Sequence, residues 1–256
     1  MLRSAGRHPE VALPPDLPVP EPTRFGEVTW LDPYPDAVLG DIADGAVGPE
    51  ARVEFREAIS LAFVTALQLL PPRQRAVLIL RDVLDFSARE VAGILDVTEQ
   101  SVTSLLKRAR ATLSRELPDD AGSAPASPGS AEEQELVARL TRAFEAADVD
   151  GIVALLTEDA WLRMPPVALE YQGRELAGRF FASVAFRQGR RYRMVPTRAN
   201  GQPALAVYVH DPTAEVAHAF GLFVLTIRGD RVAAITRFDT GGFPHFGLPR
   251  TLPDPG

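Results

Sequence analysis

Apolar residues recur at a helical period in four successive stretches between residues 49 and 117. "PEARVEFREAISLAFVTALQLL" carries Phe55, Ile59, Phe63, Ala66, Leu67 and Leu70 in phase, and Pro49 suits a first turn, where a missing N–H is no loss. The prolines at 71 and 72 end that helix and start a second, with Val77, Leu80 and Leu84 along one stripe. Ser87 with Glu90 three positions on forms a capping box and predicts a third helix over 88–95. "LDVT" makes a tight turn in which Asp96 tolerates the left-handed backbone. Thr98 then caps a fourth helix over 99–116, with Val102, Leu106 and Ala109 facing inward.

After residue 117 the periodicity lapses. "PDDAGSAPASPGSAEE" is a linker whose composition cannot bury a core. Helical spacing returns in "EEQELVARLTRAFEAAD", with Leu136, Leu140 and Phe144 in line, and in the shorter "DVDGIVALLTEDA". The period then moves towards two in "PALAVYVHD", "VAHAFGLFVLTIRGDR" and "RVAAITRFD", with a hairpin turn at "RGD" (228–230) and a helix near 174–186 before them. Helices followed by a long antiparallel set predict an α+β domain. Residues 1–48 are different again. "PPDLPVPEP" reads as an extended, solvated linker, and "WLDPYPDAVL" as an apolar island within it. The expected organisation is a largely disordered linker (1–48), an all-α helix-turn-helix (49–117), a flexible linker (118–131), an α+β domain (132–250) and a tail (251–256).

Composition narrows the chemistry. The absence of cysteine excludes disulfides and thiolate sites. No apolar run nears the roughly 18 residues of a membrane span, and the N-terminus lacks a signal-peptide core, so the expectation is a cytoplasmic protein with no membrane partner. His8, His210, His218 and His245 are scattered, so no metal is expected. No phosphate-binding loop is present, so no cofactor is expected.

Charge singles out one segment. The net charge is -7, yet of residues 1–70, 71–117 and 118–256 only 71–117 has a positive balance, with eight basic and six acidic side chains. A tight turn between two helices, the second basic, is the helix-turn-helix arrangement. Its second helix must show short polar groups to base edges at its N-terminal end and cations to phosphates further along. Glu99, Gln100, Ser101, Thr103 and Ser104 stand at that end, and Lys107, Arg108 and Arg110 follow. A solvated basic face on an ordinary bundle is the alternative.

"LPPRQRAVLILRDVLDFSAREVAGILDVTEQSVTSLLKRARATL" (70–113) resembles region 4 of extracytoplasmic-function RNA polymerase sigma factors, most of all the SigG-like branch, which carries an extra C-terminal domain. The resemblance implies two partners, the −35 element of promoter DNA and core RNA polymerase. Carried over by position, Gln100, Ser101, Thr103 and Ser104 would face the bases, and Arg89, Lys107 and Arg108 the phosphates. The family often has basic residues where Thr103 and Leu105 stand, which leaves the sequence preference open. A complete sigma factor also carries region 2. The 48 residues ahead of the helices are too few and too Pro-rich for it, so a truncated chain or a misplaced start is expected.

Residues 132–250 resemble the SnoaL-like, or polyketide-cyclase-like, group, a cone with a curved antiparallel sheet. The quoted signals are "AFEAADVDGIVALLTEDAWLRMPP", "YQGRELAGRFF" and "FVLTIRGDRVAAITRFD". That fold serves enzymes, binding cups and dimerisation modules alike. The fold class expected is therefore multidomain, a helix-turn-helix followed by an α+β cone. Trp161, Met164, His218, Phe238 and Asp239 form the candidate pocket. The alternative is that His218 is a satisfied sheet histidine, Asp239 a strand-end cap and the aromatics plain core. A non-catalytic regulatory role is expected. Phe243, Phe246 and Leu248 make the tail apolar, and the expectation is that the tail or the cone docks on the helix-turn-helix or on the 30–39 island. The alternative function is a small-molecule sensor or enzyme with a DNA-binding appendage.

Overall fold

Two prolines start the first described helix, α1 (Pro72–Leu78), with Pro72 at its first position, and the chain winds on through a π-helical turn at Ile79–Val83. The computed structural model describes residues 18–25, 32–37, 70–83, 86–116, 129–165 and 167–253. The helix expected ahead of the proline pair lies outside these residues, except for Leu70. The chain divides into two units, residues 43–121 and residues 1–42 with 122–256.

In the helical unit the local signals act as their chemistry requires. The Glu90 N–H donates to Ser87 Oγ (3.3 Å) and the Ser87 N–H to Glu90 Oε2 (2.7 Å), which closes the capping box and starts α2 (Ala88–Leu95). Asp96 ends α2 at φ 53°, the left-handed conformation that glycine more often supplies. The Ser101 N–H donates to Thr98 Oγ1 (3.1 Å) and opens α3 (Glu99–Glu116). Val77, Val91, Ala92 and Val102 form the core, with Leu80, Phe86, Leu95, Leu105 and Leu106 packed around them.

The second unit sets helices against a curved sheet. Helix α4 (Ala131–Glu145), capped by Ser130, is followed by α5 (Val149–Leu155), capped by Asp148. Strands β2 (Leu156–Met164) and β3 (Val167–Gln172) follow, then α6 (Arg174–Phe180) with a π-helical turn at Phe181–Ala185. Strands β4 (Tyr192–Ala199), β5 (Gln202–His210), β6 (Val216–Arg228) and β7 (Arg231–Phe238) form the meander. With β1 (Arg24–Phe25) and β8 (Thr251–Pro253), the sheet runs β1-β3-β2-β7-β6-β5-β4, and β8 pairs with β6. The long set expected to be antiparallel, β5, β6 and β7, is so; the sheet as a whole is mixed, because β2 and β7 are parallel. A parallel pair needs a long crossover, and the helix and hairpins between β2 and β7 supply it. Bulges between β5 and β6 and between β6 and β7 add curvature. Phe144 of α4 sits at the centre of the inner core, with ring centroids 5.2 Å from Phe181, 5.6 Å from Phe186 and 5.6 Å from Phe223.

Two stretches of the expected N-terminal linker belong to this unit instead. Arg24 and Phe25 pair with Glu170 and Leu169 as the edge strand, Val19 packs against the core, and Arg24 Nε donates to Glu170 (2.7 Å). Residues 32–37 run along the end of β4, where the Tyr34 N–H donates to Asn200 Oδ1 and the Gly201 N–H to Asp36 Oδ1, both at 2.8 Å. Arg198 joins Asp36 to the buried Glu133 of α4. Trp30, Leu31, Val38 and Leu39 of the apolar island lie outside the described residues. The tail is also bound in place. Thr251–Pro253 adds to β6, and Phe243 packs edge-on against Tyr208 at 5.7 Å.

Three buried phenols donate to carbonyls outside the strands: Tyr171 to Pro20 (3.2 Å) of the N-terminal stretch, Tyr192 to Ala185 (2.7 Å) at the end of the π-helical turn and Tyr208 to Pro249 (3.0 Å) of the tail. Burial raises the pKa of all three, that of Tyr171 to about 12. The unfolded chain releases these protons near 10 and the folded chain later, so the folded state binds more protons in that window. Stability should therefore hold up to about pH 10 and fall as pH rises towards 12. Urea unfolding across that range checks this. Tyr171→Phe should cost about 1 kcal/mol at neutral pH and make the alkaline fall shallower.

Candidate nucleic-acid interface

The N-terminal half of α3 presents one polar face. Gln100, Ser104 and the adjacent Lys107 and Arg108 follow one another at steps of three to four residues, all exposed, opposite the buried Val102 and Ala109. Among the described residues none of the four has a hydrogen-bond partner or ion pair. Arg89, on the first turn of α2, is exposed and likewise free. These five expected contact residues are therefore open to a ligand.

Two others are already engaged. The Ser101 hydroxyl shares a hydrogen bond with Thr98 Oγ1 at 2.8 Å, and Thr103 Oγ1 donates back to the Glu99 carbonyl at 3.0 Å. Both hydroxyls serve the helix start, which leaves the Thr103 methyl as its outward group. The spacing of Thr98 and Ser101 carried that signal, because a cap hydroxyl meets the third residue on.

Sequence reading missed the clamp on the same helix. Arg110 makes a two-pronged contact with Asp82 of the π-helical turn, Nε to Oδ2 at 3.0 Å and Nη2 to Oδ1 at 2.8 Å. The pair spans 28 residues, beyond any local pattern. It takes Arg110 out of the free basic set and holds α3 against the preceding helical segment. Asp82 in turn raises the Arg110 pKa.

The candidate pocket of the second unit does not assemble. Met164 lies in the core, and Trp161 points to the opposite face, where the Arg24 and Arg163 guanidiniums lie 4.6 and 4.8 Å from its ring. Strand alternation separates them. His218 was expected in phase with Leu222 and Val224. The bulge near Phe220 instead pairs it with Val209, in phase with Phe223 and Leu225, but at the sheet's exposed end. There His218 Nε2 stands 3.5 Å from Asp211. Phe238 is buried beside Leu222, away from Phe223, and the exposed Asp239 accepts the Gly241 N–H at 2.8 Å as a turn cap. These five cannot act on one substrate together. Among the described residues no three His, Asp or Glu side chains converge on a metal position, and no helix is long and apolar enough to cross a membrane.

A residue outside that set occupies the inner face. Arg237 stands opposite Phe223, its guanidinium 4.5 Å from the Phe220 ring, with Nη2 donating to the Phe220 carbonyl at 2.9 Å. Burial lowers its pKa. In sequence it reads as a solvent-facing charge near a strand end, and only the register reveals its direction.

Comparison with known proteins accords with this geometry. Residues 60–113 match the family described as sigma-70, region 4, and residues 137–235 the family described as SnoaL-like domain. The chain is 42% identical over 232 residues to the ECF RNA polymerase sigma factor SigG of Mycobacterium tuberculosis, covering 88% of this chain and 60% of that protein. It is 29% identical over 167 residues to the ECF RNA polymerase sigma factor SigJ of the same organism, covering 63% of this chain and 50% of that one. The chain thus spans less than two thirds of the length of these curated relatives. The crystal structure of the M. tuberculosis SigJ protein superposes with a TM-score of 0.60 at 22% identity, covering 88% of this chain and 76% of that one.

Arg110→Ala should lower the unfolding midpoint modestly, since a largely exposed pair contributes about 1 kcal/mol at most. Lys107→Ala, which breaks no internal contact, should stay within about 0.5 kcal/mol of the parent. Thermal unfolding of the two variants side by side checks the division between clamp and free face.

Proposed function

We propose, for a chain that joins a sigma-70 region 4 to a SnoaL-like domain and is related to ECF sigma factors over 88% of its length, a role in transcription initiation in the cytoplasm. Region 4 reads the −35 element of a promoter and binds core RNA polymerase, and the SnoaL-like domain regulates it by intramolecular contact. The observation that carries the DNA reading is the unpartnered polar face of α3. Gln100 and Ser104 reach base edges in the major groove, while Lys107, Arg108 and Arg89 meet phosphates. Ser101 and Thr103 contribute through the shape of the helix start and, for Thr103, through its methyl group.

Charge sets the strength of this contact. Three free cations on an acidic chain give a modest, salt-sensitive affinity, and the acidic remainder suppresses non-specific binding. The SnoaL-like domain acts without catalysis in this reading, because its acid and base candidates lie apart and exposed. A ligand-sensing role for the same domain is favoured by one observation, the guanidinium on its inner face.

Selection of bound duplexes from a randomised pool, followed by fluorescence anisotropy, tests the assignment. Gln100→Ala should flatten base preference at one position, at a cost of about 1–3 kcal/mol for the selected sequence. Lys107→Ala should weaken all sequences alike and lower the salt slope by about one. An affinity that does not change between low and moderate salt would overturn the phosphate contacts.

A further inference from the structure

The first turns of α3 carry a defined set of groups, not only polar character. Gln100 points away from the buried Val102 and Ala109, and its side-chain amide has no partner among the described residues. At 3.6 residues per turn, the exposed Thr103 and Ser104 flank that direction, about 60° to one side and about 40° to the other. Thr103 shows its methyl there, because its Oγ1 donates to the Glu99 carbonyl at 3.0 Å. A hydroxyl already bound inside the helix has little left for a base edge, whereas a methyl has no polar partner to lose. The Ser101 hydroxyl is held by Thr98, and its side chain is half-buried. From Thr98 to Leu106 the sequence has neither lysine nor arginine. Lys107 stands about 10 Å further along the helix axis than Gln100.

Each base pair shows its own pattern in the major groove. Guanine presents two acceptors, N7 and O6, and is read best by the cationic donors of arginine and lysine. Adenine presents an acceptor and a donor, N7 and N6–H, which a side-chain amide matches with its own donor and acceptor at once. Thymine presents its C5 methyl, which an apolar group meets by excluding water. We propose that the start of α3 selects two neighbouring A·T pairs, with the Gln100 amide on an adenine and the Thr103 methyl against the methyl of a thymine. Three residues of helix rise about 4.5 Å, close to the roughly 3.4 Å between successive base pairs, so the two side chains fall on adjacent pairs. The base assignment rests on the reading of α3 as a major-groove helix, and goes beyond it in naming the bases and the atoms that meet them.

The test runs selection from a randomised duplex pool on the full chain, on Gln100→Ala and on Thr103→Ser. The serine keeps a hydroxyl for the Glu99 carbonyl and removes only the methyl. The position whose preference flattens in Gln100→Ala should be adenine, and the adjacent position that flattens in Thr103→Ser should be thymine. Base analogues in the selected duplex then remove single groups, read by fluorescence anisotropy. 7-Deazaadenine, which lacks N7, should weaken the parent about fivefold or more and leave Gln100→Ala unchanged. Uracil in place of thymine, which lacks the methyl, should weaken the parent about fourfold and leave Thr103→Ser unchanged.

A G·C pair at either position, no loss with the analogues, or a loss equal in parent and variant would overturn the base assignment and leave the DNA contact standing. Binding to no duplex, or an affinity that salt does not lower, would overturn both. Both side chains are exposed, and the analogue series on the parent chain depends on no variant's folding.

Discussion

A backbone carbonyl taken out of water needs a donor, and the second unit meets that need in two ways. Where strands run side by side, the ladder supplies it. Where the chain is irregular, side chains must, and three buried tyrosines do so. Their rings belong to the sheet and their hydroxyls reach outward to Pro20, Ala185 and Pro249. Each phenol thus ties a segment outside the strands to a strand. The edge strand β1, the end of the α6 helical segment and the C-terminal tail are all placed this way. The sheet could form without these ties, but its ends would be uncovered and the Phe144 core open at its margins.

The helical unit solves a smaller problem with local chemistry. Among its described residues the core is Val77, Val91, Ala92 and Val102, and caps and turns fix where each helix starts and stops. Ser87, Asp96 and Thr98 each act within three residues of themselves, and all three were legible in the sequence for that reason. The same economy explains why Ser101 and Thr103 are less available than their positions suggest. A hydroxyl near a helix start has a backbone partner at hand, and that partner competes with any base edge. Gln100 and Lys107 are too long to fold back in this way and remain free.

What the sequence concealed is long-range in each case. Helices, strands and the hairpin at Gly229 follow from period and turn residues, and the linkage of a region 4 to a SnoaL-like domain followed from the order of motifs. The Asp82–Arg110 clamp spans 28 residues and leaves no periodic trace. The side on which His218, Phe238 and Arg237 fall depends on bulges between β5, β6 and β7, and a single extra residue reverses a strand's parity. The parallel pairing of β2 with β7 and the capture of residues 18–25 both need partners more than 60 residues away. Pro-rich stretches look like spacers until the edge that receives them is known.

The placement of β1 bears on how the molecule is made. Arg24 precedes its partner Glu170 by 146 residues, and the whole helical unit is synthesised between them. The N-terminal stretch leaves the ribosome without a docking surface and waits until β3 exists. The helical unit, built from contacts close in sequence, can fold during that interval, because local contacts form early and distant ones late. Its polar α3 face is therefore finished before the unit that follows it. For a brief period in the life of each nascent chain the helical unit stands alone.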